Sequence, residues 1–204
     1  FLPRTLPVIY EMHSLGPFAR SRLQRIFFRW VLKQINLRRI IVTTDSLADM
    51  LSRELPDVEI VVARLSAELP VPIQPKDYAE FKENKMMGAH FKHHVGYTGY
   101  LDNYGVRGTD IICKVAAQTP EAAFHIVGGA PDIVKHWQRF SEQYNQYDNI
   151  FFYGYRNPEE MPHFLSCFDV VLAPLQFRPL LRAPTGQNMS PLKLAQYMGY
   201  EKAI

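Results

Sequence analysis

The segment Asn188-Met189-Ser190-Pro191-Leu192-Lys193 combines the residue types that hold an anion at the start of a helix. Ser190 suits an N-cap and Pro191 suits the first helical position. The amides that follow lack intrahelical acceptors and, with the helix dipole, favour negative charge. Lys193 in the first turn adds a full positive charge to the same point. Gln196, three residues on, shares its face. A phosphate at the turn and a hydroxyl-bearing group one turn further would engage both side chains. The same residues also read as an ordinary capped helix with a solvated lysine, and local sequence does not choose between the two.

Two further junctions carry comparable chemistry. Val95-Gly96-Tyr97-Thr98-Gly99-Tyr100-Leu101 runs on to Arg107-Gly108. Gly96 and Gly99 permit close backbone approach, and Arg107 is placed to clamp phosphate oxygens with two N–H groups. In isolation the G-x-x-G also reads as a plain strand-to-loop turn. Val127-Gly128-Gly129-Ala130-Pro131-Asp132 sets two glycines between a buried strand and a Pro-Asp helix start. It lacks the full dinucleotide-loop spacing.

The elements that must position these junctions alternate along the chain. Strands are expected at Val8 to Met12, Arg39 to Thr43, Glu59 to Ala63, His93 to Thr98, Ala122 to Val127, Asn149 to Tyr153 and Asp169 to Ala173. Helices are expected between them, at Ala19 to Asn36, from Asp45 to near Leu55, and at Thr109 to Gln118. Three more follow, at Pro131 to Tyr144, Pro158 to Cys167 and Ser190 to Met198. Phe124-His-Ile-Val127 and Val170-Val-Leu-Ala173 are apolar without alternation, as buried parallel strands are. Pro70, Pro72 and Pro75 interrupt the rhythm, and charged residues dominate from Lys76 to Lys85. That stretch reads as a linker with one short helix, Tyr78 to Glu83. The expected fold is α/β, with two Rossmann-like doubly wound domains and a cleft between them. Residues 1–69 form the first, 70–92 the linker and 93–204 the second.

Bulk properties set the outer bounds. The 204 residues are 47% hydrophobic, carry a net charge of +3 and suit globular α/β packing rather than disorder. That charge fits anionic small ligands without demanding nucleic acid. No apolar run approaches the roughly 18 residues that span a bilayer. Cys113 and Cys167 sit in apolar helical patterns, which points to buried thiols in a reducing compartment. The absence of an opening Met and the clipped strand-like end, Lys202-Ala203-Ile204, lead to the expectation of an internal fragment.

The second half resembles the C-terminal domain of family 4-type retaining glycosyltransferases with the GT-B fold. The matching residues are Val95-Gly-Tyr-Thr-Gly-Tyr-Leu, Arg107-Gly108, Phe124-His-Ile-Val-Gly-Gly, Asn149-Ile-Phe-Phe-Tyr-Gly-Tyr and Pro158-Glu-Glu-Met. Asp169-Val-Val-Leu-Ala-Pro-Leu and Met189-Ser-Pro-Leu-Lys-Leu-Ala-Gln-Tyr-Met-Gly complete the series in order and spacing. Tyr10-Glu-Met-His and Ile41-Val-Thr-Thr-Asp-Ser-Leu are similar, more weakly, to the end of the acceptor-side domain. The resemblance implies a transferase that moves a sugar from an NDP-sugar to a carbohydrate or lipid-linked hydroxyl acceptor, in polysaccharide or glycolipid synthesis. It implies no metal or other cofactor. Arg107, Lys193 and the Ser190, Pro191 and Leu192 segment would then hold the donor diphosphate. Tyr153, Tyr155, Arg156 and Gln196 would hold the nucleoside. Gly96, Gly99, Gly128 and Gly129 would form the glycine loops. His13 and Asn188 would stand near the transferred sugar.

The sequence departs from that pattern where the family has paired glutamates, which here are Asn188 and Gln196, and at Tyr100, where a basic residue is usual. Two rival functions follow: a nucleotide-sugar epimerase on the same fold, and a non-catalytic sugar-nucleotide-binding subunit. Arg22, Arg25, Arg29 and Lys33 recur at helical spacing, with Leu23, Phe27, Trp30 and Val31 turned elsewhere. That stripe suits contact with an anionic membrane, and it reads equally as a solvated basic face. The expected location is cytoplasmic, with peripheral contact at the inner membrane face as the alternative. His90, His93 and His94 lack acidic or Cys partners nearby, so they read as a strand entry rather than a metal site.

Overall fold

The computed structural model describes residues 6–13, 21–64, 66, 70, 73–105, 107–144, 147–174 and 192–204. The chain forms two compact units, each with its own parallel sheet.

The first unit contains β1 (Pro7–Met12), α1 (Arg22–Gln34), β2 (Asn36–Val42), α2 (Asp45–Glu54) and β3 (Glu59–Val62). Its strands lie in the order β1-β2-β3, all parallel. The Ser21 hydroxyl accepts the Gln24 amide while the Gln24 side chain accepts the Ser21 amide, which starts α1 three residues later than the sequence suggests. Thr44 caps α2 in the same manner, through the Leu47 amide. Met12, Leu32, Ile40, Val42, Leu47 and Leu51 form the core between sheet and helices.

The second unit opens with α3 (Pro75–Lys85), then β4 (His93–Thr98), α4 (Thr109–Ala116), β5 (Ala122–Val127) and α5 (Pro131–Ser141). It continues with β6 (Ile150–Gly154), a 3-10 turn (Pro158–Glu160), α6 (Met161–Cys167), β7 (Val170–Val171) and α7 (Leu192–Gly199). The stretch read as a linker therefore carries a helix longer than expected. Phe81 of α3 packs edge-on against Phe164 and stacks on His163 of α6, at centroid distances of 4.9 and 5.1 Å, so α3 belongs to this unit. Proline and charge at its ends masked the helix's full length in sequence. The expected start of α7 at Ser190 lies outside the described residues.

The four strands run in the order β6-β5-β4-β7, all parallel. Every residue of β5 is buried. Phe124 and Ile126 face the core under α4 and α5, while Val127 joins the opposite core with Phe164, Leu165, Phe168 and Tyr197. Gly96 lies inside β4 rather than in a loop, and the Phe168 ring fills the space a Cβ would need. Its role is packing. Because the chain leaves β4 toward β5 and β6 on one side but reaches β7 on the other, a crevice is expected at the carboxyl end of β4.

A polar chain runs through this core. Nδ1 of His94 lies 2.9 Å from Nε2 of His125, whose Nδ1 lies 2.9 Å from the Tyr153 hydroxyl. That hydroxyl in turn accepts the Met87 amide at 3.0 Å. Burial, with the neighbouring His94 and Lys82, pulls the pKa of His125 down to about 3, and burial also lowers that of His94. His94 is thus turned inward to His125, while His90 and His93 are exposed. Both inner rings are neutral in the folded protein, and their folded pKa values lie below the unfolded ones. Stability is therefore complete above about pH 6.5 and is lost as the pH falls below it, by up to about 1.4 kcal/mol per pH unit for each ring. Thermal unfolding followed from pH 7.5 to 5 should show this acid limb, and the His125→Asn variant should show a shallower one.

Candidate functional site

The loops at the carboxyl ends of β4, β5 and β6 meet around a cavity of about 570 Å³. Gly99, Tyr100, Val127, Gly128, Gly129, Ala130, Tyr155, Arg156 and Met161 line it. Its walls are largely apolar, with the Arg156 guanidinium as the charged exception and the exposed Tyr100 and Tyr155 rings among the lining groups. An apolar slot with a few polar groups at its edge is the usual form of a small-molecule site.

Close backbone approach shapes this cavity. Gly99 and Gly128 both have positive φ, at 133° and 128°. A Cβ on Gly128 would overlap the Gly99 carbonyl, so the two loops touch only because Gly128 has no side chain. A Cβ on Gly99 would stand 2.9 Å from Nζ of Lys193.

Lys193 reaches this point from the first turn of α7. Its ammonium lies over the Tyr97 ring, 3.8 Å from the centroid. Tyr97 is buried and its hydroxyl donates to the Tyr100 carbonyl at 2.9 Å. Four residues after Lys193, the buried Tyr197 hydroxyl accepts the Thr98 amide and contacts the Thr98 hydroxyl, both at 3.1 Å. This pair of contacts ties α7 to the end of β4 and so sets the height of Lys193.

Arg107 arrives by another route. The Asp102 carboxylate accepts the Tyr104 amide at 2.7 Å and the Arg107 amide at 3.1 Å, and folds the intervening loop. The Trp137 indole donates to the Asp102 carbonyl at 2.8 Å and pins that loop to α5. The Arg107 guanidinium sits 5.8 Å from the Tyr100 ring centroid. Its charge is close enough to Lys193 to act on it. Burial first, and Arg107 second, bring the pKa of Lys193 down to about 7. Among the described residues Lys193 makes no ion pair. A half-buried ammonium beside a second cation, with no carboxylate paired to it among the described residues, is a place where desolvation and like charge both favour an added negative charge.

The structure thus brings Arg107, Lys193, Gly99, Gly128, Gly129, Tyr155 and Arg156 to one end of one sheet. Tyr153 faces the core, where its hydroxyl joins His125 and Met87, with Arg156 6.0 Å from its ring centroid. Gln196 is half-buried on α7 and Leu192 is exposed at its start. His13 belongs to the first unit, where Nε2 lies 3.0 Å from the Glu11 carboxylate on the surface. Asn188, Ser190 and Pro191 lie outside the described residues. Sequence reasoning missed Tyr97, Asp102 and Tyr197. For Tyr197 a signal existed, since it shares a helix face with Lys193.

Solved structures similar to this chain include proteins described as glycosyltransferases. The crystal structure of Anabaena HepE in complex with UDP matches 96% of this chain and 52% of its own, with a TM-score of 0.68 and 17% identity. The same Anabaena protein in complex with UDP-glucose has a TM-score of 0.61 and 17% identity, over 86% of this chain and 50% of its own. A glycosyltransferase from Rickettsia africae has a TM-score of 0.62 and 10% identity, over 81% and 44%. The chain spans about half the length of these structures. At such identities the likeness establishes the α/β fold. No family model matches the sequence, and no curated protein matches it.

Two measurements probe the construction of the site. Tyr197→Phe leaves the buried Thr98 amide without its acceptor and should cost about 1–3 kcal/mol of unfolding free energy in a denaturant titration. Because the pKa of Lys193 is brought down to about 7, an anion bound there should draw a proton onto it. Pyrophosphate affinity, read by calorimetry, should therefore weaken as pH rises from 6 to 8.5, and more steeply than in Lys193→Gln.

Proposed function

We propose that this chain is part of a glycosyltransferase that moves a sugar from a nucleoside-diphosphate sugar to a hydroxyl acceptor. The crevice at the ends of β4 to β6 receives the donor. The observation that carries this reading is Lys193, a half-buried cation beside Arg107, without an ion pair among the described residues and at the rim of a largely apolar cavity. A sugar nucleotide has the complementary form, a dense anion next to a flat, weakly polar base. In this reading the diphosphate lies at Gly99 against Lys193 and Arg107. The base enters the cavity by Tyr155 and Arg156, and Gln196 serves the ribose.

The chemistry asked of these residues is electrostatic. Transfer breaks the bond between the anomeric carbon and the diphosphate oxygen, and negative charge grows on the departing phosphate. Two fixed cations in a partly desolvated crevice stabilise that charge more than water would. A phosphate oxygen then takes the acceptor proton. Retention at the anomeric carbon, family 4-type kinship and a role in glycan or glycolipid synthesis are what the motif resemblance adds to the proposal. The same resemblance contributes His13 and Asn188 beside the sugar, and Ser190 and Pro191 beside the phosphate. The fold shared with HepE, whose structures hold UDP and UDP-glucose, supports a sugar nucleotide as the donor class.

The test uses the intact protein with a thermal-shift panel of UDP-, GDP- and ADP-sugars. A donor at one hundred times its dissociation constant should add about 2.7 kcal/mol of stability. Lys193→Ala should abolish that shift and donor turnover together. Turnover unchanged in Lys193→Ala would remove the proposed site. Conversion of the sugar nucleotide without an acceptor would point instead to an epimerase, and binding without any turnover to a non-catalytic subunit.

A further inference from the structure

Helix α1 is amphipathic twice over. Phe28 and Leu32 point into the core of the first unit. Leu23, Ile26, Phe27 and Trp30, at positions i, i+3, i+4 and i+7, form a second apolar stripe on nearly the opposite side. These four side chains are 78%, 55%, 63% and 52% exposed, and the Phe27 and Trp30 rings stack at 5.9 Å. The helix contains four basic residues and no acidic one. Arg25 and Arg29 of the basic stripe both pair with Glu54 of α2, so half of that stripe is engaged within the unit. Arg22 and Lys33 are exposed at the border of the apolar stripe and make no ion pair among the described residues.

The position of α2 matters here. A helix lying on a parallel sheet meets its neighbouring helices along its flanks, and the Arg25–Glu54 and Arg29–Glu54 pairs mark the flank that α2 occupies. The Leu23–Trp30 stripe faces away from the sheet, where a further flanking helix would leave it open. Four large apolar side chains in water, bordered by cations and without an acid on the helix, complement one environment well: the headgroup region of an anionic bilayer. Rings enter the acyl boundary there while guanidinium and ammonium groups meet phosphate. Among the described residues no helix is long and apolar enough to cross a membrane.

We propose that the Leu23–Ile26–Phe27–Trp30 face of α1 seats in the interface of an anionic membrane, with Arg22 and Lys33 on the headgroups. The inference does not rest on the donor site. Its test is co-sedimentation of the intact protein with phosphatidylcholine vesicles, with and without phosphatidylglycerol. Binding to the anionic vesicles should fall at least about tenfold in Phe27→Ser/Trp30→Ser. It should fall about fivefold for each charge removed in Arg22→Gln and Lys33→Gln. Melting temperatures and the thermal shift with sugar nucleotides should be unchanged in all three variants. No sedimentation, or sedimentation indifferent to Phe27→Ser/Trp30→Ser, overturns the proposal. So does a clear drop in melting temperature for that variant, since it would mean that protein already covers the stripe.

Discussion

The second unit is organised around a positive charge that makes no ion pair among the described residues. The ammonium of Lys193 is drawn partly out of water, held on the face of Tyr97 and placed near Arg107. Desolvation and like charge both oppose that arrangement, and the attraction of an aromatic face offsets only part of the cost. The remainder is sustained by the fold. Tyr197 fixes α7 to β4, Asp102 and Trp137 fix the loop that carries Arg107, and Gly99 leaves room for the ammonium. Tyr197 and Trp137 are uncharged, and the Asp102 carboxylate accepts the Tyr104 and Arg107 backbone amides. A bound anion removes the penalty in one step.

The strand order explains why the crevice lies where it does. With β4 central and the chain turning to opposite sides after it, the loops beyond β4 and β5 and the helix following β7 converge on one end of the sheet. The opposite layer of the same unit is a dense aromatic core in which His125 is stacked against Phe168 and Phe151. Its polar atoms are met by His94 and Tyr153 rather than by water. The rigidity this supplies under the crevice has a consequence in acid, because neither ring can take a proton without charging the core.

The first unit is built to a different plan. Its buried face is a small set of aliphatic residues between three strands and two helices, and its outer face is dominated by arginine and exposed rings. The same helix thus contributes to a core on one side and offers an apolar stripe to its surroundings on the other. Ion pairs to Glu54 draw two of its arginines toward α2 and leave the other two basic residues at the edge of that stripe.

Sequence by itself determined the α/β class, the alternation of strands and helices along the chain, the parallel sheets and the two glycine-bearing loop junctions, because βα periodicity and Gly/Pro punctuation are local signals. Arg107, Lys193, Gly99 and Gly128 were legible as candidates for the same reason, each beside a strand end or helix start, and Tyr155 only through the motif resemblance. Tertiary structure decided the rest. Tyr153 and Gly96 sit in apolar strand patterns, yet one hydroxyl joins a buried histidine and one glycine makes room for Phe168, choices set by neighbours 28 and more residues away. Helix α3 was legible only as its middle, Tyr78 to Glu83; its full length and its place in the second unit follow from Phe81 meeting Phe164. The alignment of Tyr97 under Lys193, and the burial and nearby Arg107 that lower the pKa of Lys193, depend on two segments nearly a hundred residues apart. No window of sequence contains that contact, because burial and through-space charge are properties of the folded chain alone.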